Sequence, residues 1–71
     1  MVVTTELRGE HYRDHAWVDR HGWIWQWDAE HNEYHGWHPM GPGSGELWAT
    51  EDEISDYSSP VTRGPFRKLA D

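Results

Sequence analysis

Within HGWIWQWD, residues 21–28, tryptophan stands at every second position: Trp23, Trp25 and Trp27. An extended chain places residues i, i+2 and i+4 on one side, whereas a helix would scatter them around its axis. The alternation therefore fixes this segment as a strand, with three indoles on one face and Ile24, Gln26 and Asp28 on the other. The indole face must either be buried or form an exposed adhesive surface.

Burial is the expectation, because the chain has little else to pack. Of 71 residues only nine are Val, Leu or Ile, while six are tryptophan. Each buried aromatic removes roughly 150–250 Å² from water, so a handful can support a small sheet. Trp17 and Trp37 on neighbouring strands join this core, with Ile54, Tyr57, Phe66 and Leu69 from the rest of the chain. One layer over a small sheet cannot cover every ring, so two or three indoles are expected to stay exposed. Trp48, beside a loop, is the first candidate, and Trp37 is the second. Exposed tryptophan is a typical hot-spot residue of protein interfaces.

A chain this short makes one domain, spanning residues 1–71, too small for both a large core and a deep catalytic cleft. It contains no cysteine, which excludes disulfides and cysteine zinc sites and suits a cytoplasmic setting. No apolar run approaches the roughly 20 residues of a membrane span, and MVVTTELRGE lacks the charged and apolar regions of an export signal.

The extended segment VVTTELR, 2–8, precedes Gly9, and an edge strand there has few of the lysines that blunt an edge, which allows self-association. Asp19-Arg20-His21-Gly22 is a turn signal. It separates a strand at about 15–19 from the tryptophan strand at 23–28, and a polar connection leads to a third strand at 34–38, with Gly36 expected as a bulge. The seven residues PMGPGSG, 39–45, read as a loop. ELWAT can run extended. Thr50-Glu51-Asp52-Glu53 has the form of a capping box, hydroxyl first and carboxylate three later, and predicts a helix at about 51–57. Leu47, Ile54 and Tyr57 share one helical face. The expected architecture is a mostly β, small β+α domain: a three- to four-stranded antiparallel meander at about 12–38, one short helix, and a C-terminal tail, 58–71, packed on it.

Charge narrows the partners. Residues 1–22 carry four acids and three arginines, residues 23–57 eight acids and no Lys or Arg, and residues 58–71 three cations and one acid. The net −7 is thus concentrated in the middle. This argues against nucleic acid and against an anionic membrane surface, and it permits a basic partner. Glu46, Glu51, Asp52, Glu53 and Asp56 could instead imitate DNA phosphates and block a DNA-binding or defence protein.

Six histidines include pairs at 11/15, 31/35 and 35/38. Such spacings make metal ligands on a helix, but on strands and turns they are read as scattered surface histidines. Protonating all six would bring the formal charge from −7 to −1, so affinity or solubility can change near pH 6. No nucleophile motif, phosphate-binding loop or zincin signature is present. Neither catalytic residues, metal nor cofactor are expected. Sugar stacking on the aromatic rings is disfavoured by the missing export signal.

Two family resemblances bear on these residues. Trp17 and Trp37, twenty apart with an aromatic strand between them and Pro39 after, resemble a WW domain. Pro39 comes two residues after the second tryptophan rather than three, and WIWQWD replaces that family's middle strand, so the resemblance implies the meander and not the proline-rich ligand. Asp19-Arg20-His21-Gly22-x-x-Trp25, Gly36-Trp37, Trp48 before the acidic helix, and Gly64-Pro65-Phe66 look like a family of small proteins of actinobacteriophages and their actinobacterial hosts. This second resemblance spans roughly residues 12–69. It implies a fold and a setting, the cytoplasm of an infected bacterium, and no activity. The function expected is non-catalytic binding to a host protein through Trp37 and Trp48, with the acidic DNA mimic as the alternative.

Overall fold

The computed structural model describes residues 3–40, 45–56 and 63–69. Among the described residues the strands are, in chain order, β1 (Val3–Thr4), β2 (Trp17–Val18), β3 (Ile24–Asp28), β4 (Glu33–Trp37), β5 (Glu46–Ala49) and β6 (Phe66–Lys68), with a 3-10 turn (Glu10–Tyr12) between β1 and β2 and one α-helix, α1 (Glu51–Ile54), after β5. They form one six-stranded sheet in the order β1-β6-β2-β3-β4-β5, antiparallel at every pairing.

The tryptophan alternation resolves as expected. Trp25 is buried, and Trp23 and Trp27 pack against the same core, which is built from Leu7, Trp17, Trp25, Tyr34, Ile54 and Phe66. Burying an indole such as Trp17 or Trp25 contributes roughly 5 kcal/mol of gross transfer free energy. The core lies on one side of the sheet, where α1 and the segment between β1 and β2 cover it. That segment is clamped. The Leu7 N–H donates to Ser55 Oγ at 2.9 Å, Tyr34 Oη donates to Leu7 O at 3.3 Å, and Trp17 Nε1 donates to Tyr12 O at 2.8 Å. Burial raises the Tyr34 phenol well above its ordinary value.

The architecture departs from the expected three- to four-stranded meander. The central meander is β2-β3-β4, but β5 extends it on one side, and β6 and β1 extend it on the other. The tail does not pack on a face. It enters the sheet as β6 between β1 and β2, pairing Arg67 with both Val3 and Val18. Phe66 reaches the core, while Leu69, expected as a second anchor, is 40% exposed. The reason is that a two- or three-residue strand has no readable alternation, and Phe66-Arg67-Lys68 offers only one apolar side chain.

The strand read at 2–8 ends at Thr4, so the edge expected there is only β1. The β3–β4 register is unbroken from Ile24–Trp37 to Asp28–Glu33, so Gly36 makes no bulge. Gly36 is needed for space: a Cβ there would stand 2.7 Å from the Trp25 ring. The helix is one turn, shorter than the 51–57 expected, with Ser55 as its C-cap. Leu47 lies on β5 and not on a helical face. Tyr57 and loop residues 41–44 lie outside the described residues. No helix among the described residues is long and apolar enough to cross a membrane.

Candidate functional site

Directly paired residues of an antiparallel sheet share a face. The face opposite the core therefore carries one row through all six strands: Val3, Arg67, Val18, Ile24, Trp37 and Glu46. A second row, Gln26, His35 and Trp48, runs beside it on β3, β4 and β5. Trp37, expected either to join Trp17 in the core or to be the second exposed indole, is thus outside the core and half-buried on the open face. Its register with Ile24 and Glu46 turns it outward, beside Trp48, which is 36% exposed.

These indoles are interleaved with imidazoles. Trp48 is flanked by His31 at 4.2 Å and His35 at 4.4 Å between ring centroids, both tilted by about 30° (32° and 31°). His35 also lies 5.6 Å from Trp37. Each imidazole holds a carboxylate. His31 Nδ1 is 3.2 Å from Asp28 Oδ1, and His35 Nε2 donates to Glu46 Oε2 at 2.7 Å. The His31 backbone N–H, followed by its side chain, holds the Asp28 carboxyl below its ordinary value. The two histidines are therefore organised around Trp48 and not scattered. Sequence spacing missed this because the contact crosses from the β3–β4 turn to β5, and only the strand order brings those segments together.

The five carboxylates singled out in the sequence do not form one surface. Glu46 is on the open face with Trp37 and Trp48. Glu51, on α1, accepts from the Gly9 N–H at 2.9 Å and pairs with Arg13. The Gly9 N–H and Arg13 hold its carboxyl below the ordinary value, against partial desolvation. The Arg13 guanidinium in turn lies 4.2 Å over the Trp27 ring. Asp52 pairs with Arg8 at 3.1 Å. Glu53 completes the capping box, accepting from the Thr50 N–H at 2.9 Å while its own N–H donates to Thr50 Oγ1 at 3.2 Å. Asp56 is exposed beyond the helix, and its N–H donates to Glu53 O at 3.4 Å.

The residues Asp19, Gly22 and Trp25 of the quoted pattern have a structural account. Asp19 Oδ1 accepts from the His21 and Trp23 N–H groups at 2.8 and 3.0 Å. Its Oδ2 accepts from Trp25 Nε1 at 2.9 Å and from Arg63 Nη1 at 3.2 Å. Gly22 takes φ +87°, which closes the turn. Sequence reading found the turn but not the carboxylate's grip on Trp25 and Arg63.

A second feature opens on the core side, at the end of the sheet formed by β5. A cleft of about 210 Å³ is lined there by Trp25, Leu47, Trp48, Ala49, Glu53, Ile54 and Arg63. Among the described residues no three His, Asp or Glu side chains are placed to hold a metal ion. Comparison with protein-family profiles, curated proteins and solved structures finds no match.

Proposed function

We propose that the chain is a non-catalytic protein-binding module whose contact surface is the open face of the sheet. The resemblance to actinobacteriophage proteins suggests only the setting, the bacterial cytoplasm; within it we read the chain as an accessory protein that binds and modulates a host protein. The supporting observation is the position of Trp37 and Trp48, on the face opposite the core and joined through His35. Interface centres are rich in tryptophan fixed by their neighbours, because such rings bury much area and lose little freedom on binding. The acidic-decoy alternative has less support, since Glu51, Asp52 and Glu53 are engaged within the fold.

The test is capture from an actinobacterial lysate on immobilised protein, washed at low and high salt, with Trp37→Ala and Trp48→Ala alongside. Aromatic recognition predicts a partner that survives the high-salt wash and is lost from both folded variants. Capture that is unchanged in both folded variants rejects the open face as the contact. A basic partner released by salt and indifferent to the tryptophans would support the decoy, since exposed charge pairs are screened beyond about 8–10 Å.

A further inference from the structure

The edge of the sheet beside Trp48 carries an offer of its own. β5 ends the strand order, and among the described residues no strand pairs with its far side. Natural edge strands are blunted by lysine, proline, a bulge or extreme shortness. β1, the opposite edge, has two residues. β5 has four, Glu46-Leu47-Trp48-Ala49, with neither lysine nor proline, and its pairing with β4 is regular along its length. The backbone groups on its far side, which no strand among the described residues takes up, are the chemistry that recognises another extended chain.

The cleft lies against this edge. Leu47 and Ala49 point to the core side, where Ile54 of α1 and Trp25 form the other walls. Small-molecule sites usually measure about 300–1,000 Å³, so a cleft of about 210 Å³ is sized for one side chain. Glu53 stands at the cleft and Glu46 on the opposite face, in a stretch from 23 to 57 that contains no Lys or Arg. The Arg63 guanidinium at the cleft is already bonded to Asp19.

We propose that β5 accepts an extended segment of a partner protein as a seventh, antiparallel strand. One bulky apolar side chain of that segment enters the cleft between β5 and α1, and basic residues on either side of it project to the open face beside Trp48 and Glu46. This rests on the protein-binding reading and names the form of the ligand.

The experiment uses the whole protein, isotope-labelled, titrated with the capped pentapeptide acetyl-Thr-Lys-Phe-Lys-Thr-amide and followed by amide NMR. Strand addition predicts saturable shifts at residues 46–49 and at Ile54, at about 1 mM peptide or below, and slowed amide exchange along β5. Alternate residues of an added strand bond to the edge. Of two N-methylated peptides, one methylated at both Lys and the other at Phe and both Thr, one alone should bind at least tenfold more weakly. Replacing the phenylalanine by alanine should also weaken binding, and Ala49→Leu, which narrows the cleft, should remove that difference. No saturable change at 46–49, or equal effects of the two methylation patterns, overturns the proposal. So do shifts at 46–49 that follow the concentration of the protein alone, which would make a second copy the occupant. Lysate capture that needs Trp37 while the peptide leaves 46–49 unmoved keeps the binding module and rejects strand addition.

Discussion

Trp25 Nε1 donates to Asp19 Oδ2 at 2.9 Å, and the Asp19 side chain that receives it is fully buried. The same carboxylate takes two backbone N–H groups of its own turn and the guanidinium of Arg63, forty-four residues away. One residue thus ties the turn, the central strand and the approach to β6.

Asp19→Ala is expected to remove roughly 3–5 kcal/mol, the usual cost of breaking a buried charge pair by deleting one partner. A 71-residue domain holds only about 4–10 kcal/mol in total, so the variant should lose a large share of its stability. Urea denaturation followed by tryptophan emission measures it. Asp19→Asn keeps an acceptor for the turn but loses the ion pair with Arg63, and should fall between the two. A loss below about 1 kcal/mol in Asp19→Ala would mean the turn and Trp25 hold without the carboxylate.

Gly36→Ala tests a different constraint. The added Cβ would lie 2.7 Å from a Trp25 ring atom, and that ring is locked in the core. Overpacking of this kind costs about 1–3 kcal/mol, seen as a lower midpoint in thermal unfolding. At Gly45 the space is open but φ is +77°, so Gly45→Ala should cost only about 1 kcal/mol, from backbone strain alone.

Glu51 gives the fold an acid-sensitive joint. Its carboxyl is held below the ordinary 4.5 by the Gly9 N–H and by Arg13. A depressed folded value means the unfolded chain binds the proton more readily. The stabilisation is therefore complete above about 4.5 and is lost as pH falls through the lower folded value. Glu51→Gln should lower stability at neutral pH and flatten its decline below about pH 4.5. Denaturation midpoints of both proteins between about pH 3 and 7 settle it, and parallel curves would remove Glu51 from the account.

What the sequence disclosed follows from which signals are local. The alternation of Trp23, Trp25 and Trp27 lies within one strand and fixed its face. The capping box lies within four residues, and Thr50 and Glu53 form it. Trp37 lay beyond this reach. Its side depends on how β4 registers on β3 across a turn, where Asn32 takes φ +56°, and a shift of one residue would have turned it inward. β1, β2 and β6 are two or three residues long, so only their partners identify them as strands. The stacking of His31 and His35 on Trp48 is likewise a consequence of strand order.

That stack should be visible in the NMR signals of the two imidazoles. With centroids 4.2 and 4.4 Å from the Trp48 ring, the ring C–H protons of His31 and His35 should carry ring-current shifts from the indole. Trp48→Ala should move both sets toward unshifted positions, and Trp37→Ala, 5.6 Å from His35, should move His35 alone. Imidazole signals unchanged in Trp48→Ala would show that the rings do not stack in solution.

The last prediction concerns α1, whose single turn is too short to persist by its own hydrogen bonds. It is held by the reciprocal bonds of Thr50 and Glu53, by Glu51 on Gly9 and Arg13, and by burial of Ile54. Thr50→Ala removes the acceptor for the Glu53 N–H and should cost about 1 kcal/mol in urea denaturation. Because α1 forms one wall of the cleft beside β5, the effect should be local before it is global. Amide exchange at Ile54 and Ser55 should quicken more than at Trp25 and Tyr34 on the central strands. Uniform quickening at all four would mean that α1 opens only when the whole sheet does, and that the cleft is as rigid as the core.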